Sequence, residues 1–145
     1  FYTKLRAEGT LDFYETGKGK MYLGFHLDPL YRVHWNNEAP AMSYEITPDD
    51  GVTISPVQAT GARPEEKADA DPREFLVDVE SDVPGKGFDL TVRYYACDDA
   101  LTFCIPVKQD YRVTMSRNTA HGWTMTTNPD GTTNWGTPPP LEDIL

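Results

Sequence analysis

Apolar and polar residues alternate along most of the chain, which is the pattern of β-strands that bury one face. Turn-forming sequences separate the alternating stretches, such as TGKGK at residues 16–20 and TPDDG at residues 47–51. No stretch of a dozen residues keeps a helical period without a breaker, so long helices are not expected. The stretches predicted as strands are 5–13, 21–27, 44–46, 52–54, 75–79, 88–94 and 105–115.

These short strands predict an all-β fold, an immunoglobulin-like antiparallel β-sandwich, with a small barrel as the alternative. Residues 60–72, TGARPEEKADADP, are polar and rich in breakers, and they predict a long loop. Residues 117–145 contain a proline run and predict a non-regular tail or linker, which Trp123 or Trp135 would attach to the domain. The predicted organisation is therefore one immunoglobulin-like domain over residues 1–116 and a proline-rich tail or linker over residues 117–145.

The chain has 145 residues, a formal net charge of −10 and an apolar content of 39%. The length suits one domain. The acidic balance argues against a nucleic acid or an anionic membrane face as a partner, because both require clustered Lys and Arg. No apolar run approaches the length of a membrane span, so this segment is not expected to insert into a membrane. The first residue is Phe1 rather than Met, as expected of a processed protein or an excised domain.

Motifs for metals and cofactors are weak. His26, His34 and His121 lie far apart in sequence, and none pairs with a cysteine at the spacing of a zinc site. The segment NPDGTTN at residues 128–134 lacks the ligand spacing of a calcium loop and its closing glutamate. The sequence has neither a nucleophile elbow nor a phosphate-binding glycine loop. It therefore predicts no metal site and no cofactor.

Both cysteines lie in YYACDDALTFCIPV, residues 94–107, with six residues between them. Continuing the alternation of the flanking strands places Cys97 and Cys104 on the outer side of a hairpin-like loop, where a disulfide is geometrically reasonable. A structural clip, a metal site and a redox pair all fit this spacing. As a clip, so short a closed loop would stabilise the fold by only about 2.5 kcal/mol.

The cysteine pair is expected to be a target of attack rather than an attacker. A nucleophilic cysteine needs a nearby cation or a helix N-terminus, whereas Asp98 and Asp99 adjoin Cys97 and disfavour a thiolate. Arg93 and Lys108 are the nearest cations in sequence. The thiolate of a partner can nevertheless attack a disulfide in such a loop.

The cysteine strand resembles a known family. LTVRYYACDDALTFCIPV, residues 90–107, is similar to V-x-Y-x-A/G-C, a short acidic loop and C-x-P in the amino-terminal periplasmic domain of DsbD, the bacterial transmembrane thiol:disulfide interchange protein, and in its ScsB-like relatives. A second segment, DPLYRVHWNNEAP at residues 28–40, resembles P-G-W-H-T-Y-W-x-N-P of the ScsB-like proteins. The matching positions are Val92, Tyr95, Ala96, Cys97, Asp98, Asp99, Cys104 and Pro106 in the first segment, and Pro29, Tyr31, His34, Trp35, Asn37 and Pro40 in the second.

The resemblance implies an immunoglobulin-like fold and a thiol-disulfide exchange module outside the cytoplasm, in the bacterial periplasm. Cys97 and Cys104 would cycle between a disulfide and a dithiol as a thiol:disulfide oxidoreductase domain. They would relay electrons between a thioredoxin-fold protein or domain and exported substrates. Other domains of the same parent chain are further expected partners.

The same family shields its cysteines with a cap loop that carries an aromatic residue. The loop in that position here is residues 60–72, which has no aromatic residue. Aromatic residues elsewhere in the matching segments either pack in the core or form a surface that shields the disulfide and docks a thioredoxin-like partner. The candidates for shielding or docking are Tyr31, Trp35, Tyr95 and Phe103.

A second function fits the same residues. An immunoglobulin-like binding or scaffolding module of a larger exported protein would keep the Cys97–Cys104 disulfide as a clip. The exchange module requires a reducible, accessible disulfide. The binding module would instead retain its partner after both cysteines are replaced, and would lose only stability.

Overall fold

The computed structural model describes residues 3–118 and 122–128 of the chain. Almost all of its regular structure is β-strand, with one short α-helix and one 3-10 turn. The elements are β1 (Thr3–Gly9), α1 (Leu11–Thr16), β2 (Lys18–Leu27), a 3-10 helix (Pro29–Tyr31), β3 (Val33–Asn36), β4 (Ser43–Pro48), β5 (Val52–Ser55), β6 (Gln58–Thr60), β7 (Ala68–Asp69), β8 (Arg73–Ser81), β9 (Lys86–Asp98), β10 (Cys104–Asn118) and β11 (Gly122–Asn128).

The strands form two antiparallel sheets that enclose one core, so the predicted all-β sandwich is confirmed. The first sheet has four strands in the order β1-β2-β8-β5. The second has seven, with β11-β10-β9-β3-β7 in a row, β4 also paired with β9, and β6 paired with β4. Along β9, β10 occupies one side, while β4 and β3 share the other, β4 near its start and β3 at its end. This arrangement brings β3 beside the end of β9, where Cys97 lies.

The core is built from one face of each strand, as the alternation predicts. In β2, Met21, Leu23 and Phe25 are fully buried, and in β9 the even positions from Phe88 to Ala96 are buried. Burial of each large apolar side chain stabilises the fold by about 1.5–3 kcal/mol. The odd positions of β9 therefore belong to the outer face of the second sheet, and Cys97 is among them.

The chain leaves the first sheet earlier than the alternation predicts. The sequence predicts a strand through Phe13, but β1 ends at Gly9 and α1 follows. The ring of Phe13 folds back over Gly9, where a Cβ atom would lie 2.6 Å from it, and Phe13 remains buried. Gly17 ends the helix with a φ of 81°, a left-handed conformation that glycine adopts without strain. α1 has six residues, and no helix in the described part of the chain is long and apolar enough to cross a membrane.

Residues 117–118 and 122–128 are strand, not the non-regular tail that the sequence predicts. β11 pairs with the end of β10, and Trp123 and Met125 are buried in the core. The ring centroid of Trp123 lies 5.9 Å from that of Phe13 in α1. Only two residues of GWTMTTN are large and apolar, so the alternation is too short to stand out in the sequence. Trp135 and the rest of the predicted tail lie outside the described residues.

Candidate functional site

The two cysteines face each other across β9 and β10. The strand register places Cys97 directly opposite Cys104. In the next pair, the amide of Asp98 donates to the carbonyl oxygen of Phe103 at 3.0 Å. The cysteines therefore occupy the adjacent non-hydrogen-bonded pair, where Cα atoms approach most closely. Their Cα atoms are 4.1 Å apart and their Sγ atoms are joined in a disulfide at 2.08 Å.

The two cysteines differ in exposure, although both occupy outward positions of their strands. Cys97 is only 3% exposed, whereas Cys104 is exposed. β3 covers the open side of Cys97, with His34 directly opposite it. On the far side of β10, β11 pairs only with residues 112–118, so no described strand lies beyond Cys104. Cys97 is therefore inside the sheet and Cys104 is at its open edge.

Asp98 holds the loop between the cysteines. Its carboxylate accepts hydrogen bonds from the amide of Phe103 at 3.0 Å and from the amide and hydroxyl of Thr102 at 2.8 and 3.0 Å. The bond from the Phe103 amide, followed by those from Thr102, holds the pKa of Asp98 below its ordinary value. The amide of Leu101, whose φ is 57°, donates to the Asp98 carbonyl oxygen at 3.0 Å. The Asp98 carboxylate is thus engaged within its own loop.

The second aspartate of the loop lies next to a histidine. Oδ1 of Asp99 is 3.4 Å from Nδ1 of His34, a distance at which the two form an ion pair when His34 is protonated. His34 is the β3 neighbour of Cys97 in the strand register. Of the two aspartates expected to disfavour a thiolate at Cys97, Asp98 is hydrogen-bonded within its loop and Asp99 lies beside His34.

A small cleft of about 230 Å³ lies beside the disulfide, and we call it the disulfide cleft. Lys67 is exposed and forms no ion pair with any described residue. Its ammonium group is therefore available to a negative charge that develops in the cleft. The residues that line the disulfide cleft are Asn36, Glu38, Lys67, Cys97, Leu101 and Cys104.

Strand pairings that the sequence does not predict place Lys67 at the disulfide cleft. β7, which follows Lys67, pairs with β3, and β3 pairs with the end of β9. The sequence indicates Arg93 and Lys108 as the nearest cations, yet neither lines the disulfide cleft. One signal in the sequence pointed to Lys67: the family resemblance implies that residues 60–72 lie near the cysteines.

A buried polar network fixes the segment that carries Lys67. Arg73 donates from Nη1 and Nη2 to the two carboxylate oxygens of Asp69, both at 2.8 Å, and both residues are buried. Asn37 donates to Asp69 at 2.8 Å and accepts from Arg73 at 3.1 Å. The bonds from Arg73 are the main cause that lowers the pKa of Asp69. The ionised pair therefore ties β7 to β8 and to the end of β3.

Trp35 does not belong to the surface around the disulfide. It pairs with Ala96 on the core face of the sheet, is 3% exposed, and packs edge-on against Tyr94 with ring centroids 5.0 Å apart. Its Nε1 donates to the carbonyl oxygen of Asp71 at 2.7 Å. The expectation that Trp35 shields the disulfide or docks a partner is wrong, because Cys97 lies on the opposite face.

The other three aromatic candidates are exposed. Phe103 adjoins the second cysteine, Tyr95 shares the outer face of β9 with the first, and Tyr31 lies in the 3-10 helix just before β3. The sequence reasoning missed two exposed leucines, Leu30 in the same 3-10 helix and Leu101 in the loop between β9 and β10. The start of β3 pairs with the end of β9, so both segments adjoin the same end of the sheet. We call these five residues the apolar rim: Leu30, Tyr31, Tyr95, Leu101 and Phe103.

Within residues 3–118 and 122–128, no three His, Cys, Asp or Glu side chains are placed to hold a metal ion together. Comparisons with protein-family models, with curated proteins and with solved structures find no match to this chain.

Proposed function

We propose that this chain is an extracytoplasmic thiol-disulfide exchange module that relays electrons between a thioredoxin-fold partner and exported substrates through Cys97 and Cys104. One observation carries the proposal: within a single disulfide, Cys104 is exposed at an open sheet edge and Cys97 is 3% exposed. Exchange needs one accessible sulfur for attack and a second one that leaves. The resemblance of residues 90–107 to the amino-terminal domain of DsbD supports the same chemistry and implies a bacterial periplasm.

In the proposed exchange, the thiolate of a partner attacks Sγ of Cys104. A mixed disulfide forms, the bond between Cys97 and Cys104 breaks, and Cys97 leaves as a thiolate. The partner's second thiolate then attacks the partner's own sulfur in the mixed disulfide, and Cys104 leaves. The partner ends as a disulfide and this chain ends as a dithiol, after two electrons and two protons have moved. The reverse sequence reduces the disulfide of a substrate.

The apolar rim supports partner docking at this end of the sheet. Leu30 is 87% exposed and Phe103 is 67% exposed. Large apolar side chains grouped on a surface mark sites of protein interaction. A partner that covers the apolar rim would bring its reactive sulfur to the exposed edge at Cys104.

A binding or scaffolding module with a structural disulfide is the alternative function. The pairing of Cys97 with Cys104 in the strand register favours it, because a cross-strand clip needs only this geometry. As a clip, the disulfide would stabilise the fold by about 2.5 kcal/mol. The apolar rim would then bind a partner without electron transfer.

The reduction potential of the Cys97–Cys104 pair separates the two functions. We expect a value of roughly −200 to −270 mV, the range of exchange proteins, because an exposed disulfide such as this one at Cys104 has a higher potential than a buried structural one. The potential is measured by equilibrating the chain with glutathione or dithiothreitol buffers and alkylating the free thiols. A value below about −300 mV would identify a clip and contradict exchange.

Two matched single-cysteine variants test which sulfur the partner attacks. A Cys97→Ala variant keeps the exposed Cys104 and is expected to trap a thioredoxin-fold partner as a mixed disulfide. Cys104→Ala keeps only the buried Cys97 and is expected to trap much less. Equal trapping by the two variants would contradict the proposal that the partner attacks Cys104.

A further inference from the structure

Exchange at Cys104 leaves a negative charge on Cys97, the buried half of the pair. Burial raises the energy of a thiolate unless a cation or a hydrogen-bond donor compensates it. Charged and titratable groups lie around Cys97 on four parts of the chain besides its disulfide partner. They are His34 from β3, Glu38 from the segment after β3, Lys67 from the segment before β7, and Asp98 and Asp99 from the end of β9 and the loop that follows it.

The carboxylates in this set are engaged to different degrees. Asp98 accepts three hydrogen bonds within its loop, and Asp99 lies 3.4 Å from His34. Glu38 lines the disulfide cleft and is exposed, so water screens much of its repulsion. Lys67 is the one lysine or arginine among the described residues that line the same cleft as both cysteines.

We propose that Lys67 stabilises the thiolate of Cys97 as the disulfide opens, and thereby speeds attack at Cys104. The purpose of this stabilisation depends on the proposed exchange function. Two features support it. The Lys67 ammonium forms no ion pair with a described residue. The backbone carbonyl of Lys67 accepts a hydrogen bond from the amide of Asn37 at 3.0 Å, which holds the backbone of Lys67 beside the end of β3.

The titration of Cys97 in the reduced chain tests the proposal. Ultraviolet absorbance of the thiolate is followed against pH in a Cys104→Ala background, so that Cys97 alone contributes. We expect Lys67→Met to raise the midpoint of the titration by about one pH unit, the lower end of the effect of a nearby opposite charge. Lys67→Arg should restore the midpoint. Lys108→Met, which removes a cation outside the disulfide cleft, should leave it unmoved.

An identical midpoint with and without the Lys67 charge would overturn the proposal, and so would an equal shift in Lys108→Met. Salt provides a second measurement that needs no change at Lys67. Raising the ionic strength screens an exposed ammonium group, so the midpoint of Cys97 in the Cys104→Ala background with Lys67 intact should rise with salt. A midpoint that does not respond to salt would contradict the proposal even where the Lys67 variants fail to fold.

Failure of this inference can be told apart from failure of the exchange function. A reduction potential typical of exchange proteins, together with an unmoved midpoint, would reject the role of Lys67 and leave exchange standing. A potential typical of structural disulfides, together with a shifted midpoint, would show that Lys67 stabilises the Cys97 thiolate but would reject the exchange function. The rate at which dithiothreitol reduces the oxidised chain should fall about threefold or more in Lys67→Met, because a more basic thiolate leaves more slowly.

Discussion

Aspartates that look alike in the sequence have different roles at the residue scale, because hydrogen-bond partners decide what each carboxylate does. Asp98 caps the cysteine loop, and Asp99 lies beside His34. The sequence predicts that Asp98 and Asp99 repel a thiolate at Cys97, and this prediction assumes that both carboxylates are unpaired and close to the sulfur. Local hydrogen bonds of this kind depend on the turn that the loop adopts, so the residue type alone does not reveal them.

Asp49 offers a prediction for acid stability. Hydrogen bonds from Arg112 and from the amide of Gly87 lower its pKa from an ordinary 3.8 to about 2. Because the pKa is lower in the folded state, ionised Asp49 stabilises the fold above about pH 4, and this contribution is lost as the pH falls toward 2. We expect Asp49→Asn to lower the free energy of unfolding at neutral pH by about 1 kcal/mol, a value that allows for solvent screening.

Urea unfolding at several pH values checks this prediction. Between about pH 4 and pH 2, Asp49→Asn should lose less stability than the unchanged chain, because one carboxylate that binds a proton on unfolding is gone. The neighbouring exposed Asp50 supplies the control, and Asp50→Asn should keep the acid sensitivity of the unchanged chain. The same loss of stability in all three proteins would contradict the role assigned to the Arg112 pair.

At the scale of elements, strands that alternate over several residues could be predicted, and elements held by distant partners could not. β2, β8, β9 and β10 each have one apolar face long enough to read from the sequence. β7 has two residues, and it is held by its pairing with β3 and by the buried contact between Asp69 and Arg73. No local pattern encodes such an element, although it carries the segment that lines the disulfide cleft.

The buried pair of Asp69 and Arg73 is expected to be essential for that segment. Arg73→Met would leave the carboxylate of Asp69 buried without its bidentate partner, and we expect a loss of about 3–5 kcal/mol in the free energy of unfolding. Hydrogen exchange should also rise in residues 61–72. Urea unfolding and mass-spectrometric hydrogen exchange measure the two effects.

Two further variants show whether the cause is an unpaired charge. Adding Asp69→Leu to Arg73→Met removes the remaining carboxylate and should recover part of the lost stability. Arg93→Met, at an exposed arginine of the outer face, should change stability by no more than about 0.5 kcal/mol. A double variant less stable than the single one would show that packing, rather than charge, accounts for the loss.

At the scale of the whole molecule, the cysteine pair could be placed from the sequence, but its surroundings could not. The parity of β9 and β10 was enough to set Cys97 and Cys104 on the outer face. Their unequal exposure depends on which strands lie beyond each one, β3 beside Cys97 and an open edge beside Cys104. Lys67 lies at the disulfide cleft because β7 pairs with β3 and β3 pairs with β9, so its position follows only from the complete sheet order.

The extent of the domain gives the last prediction. The sequence predicts a domain that ends at residue 116, whereas Trp123 in β11 is 3% exposed and lies against Phe13 of α1. A Cβ atom on Gly17 would lie 2.7 Å from the Trp123 ring, so the helix end and the last described strand fit together closely. Trp123→Ala would leave a cavity where α1 meets β11, and we expect a loss of about 3–5 kcal/mol in the free energy of unfolding.

Urea unfolding of Trp123→Ala beside Leu76→Ala tests the domain boundary. Leu76 is 52% exposed on the outer face of the first sheet, so its truncation should cost no more than about 0.5 kcal/mol. A similarly small loss for Trp123→Ala would mean that β11 adds little to the core and that the domain ends near residue 116. A large loss would mean that the sandwich needs β11 to cover α1. In that case an expressed domain must extend through Asn128 before its disulfide is studied in isolation.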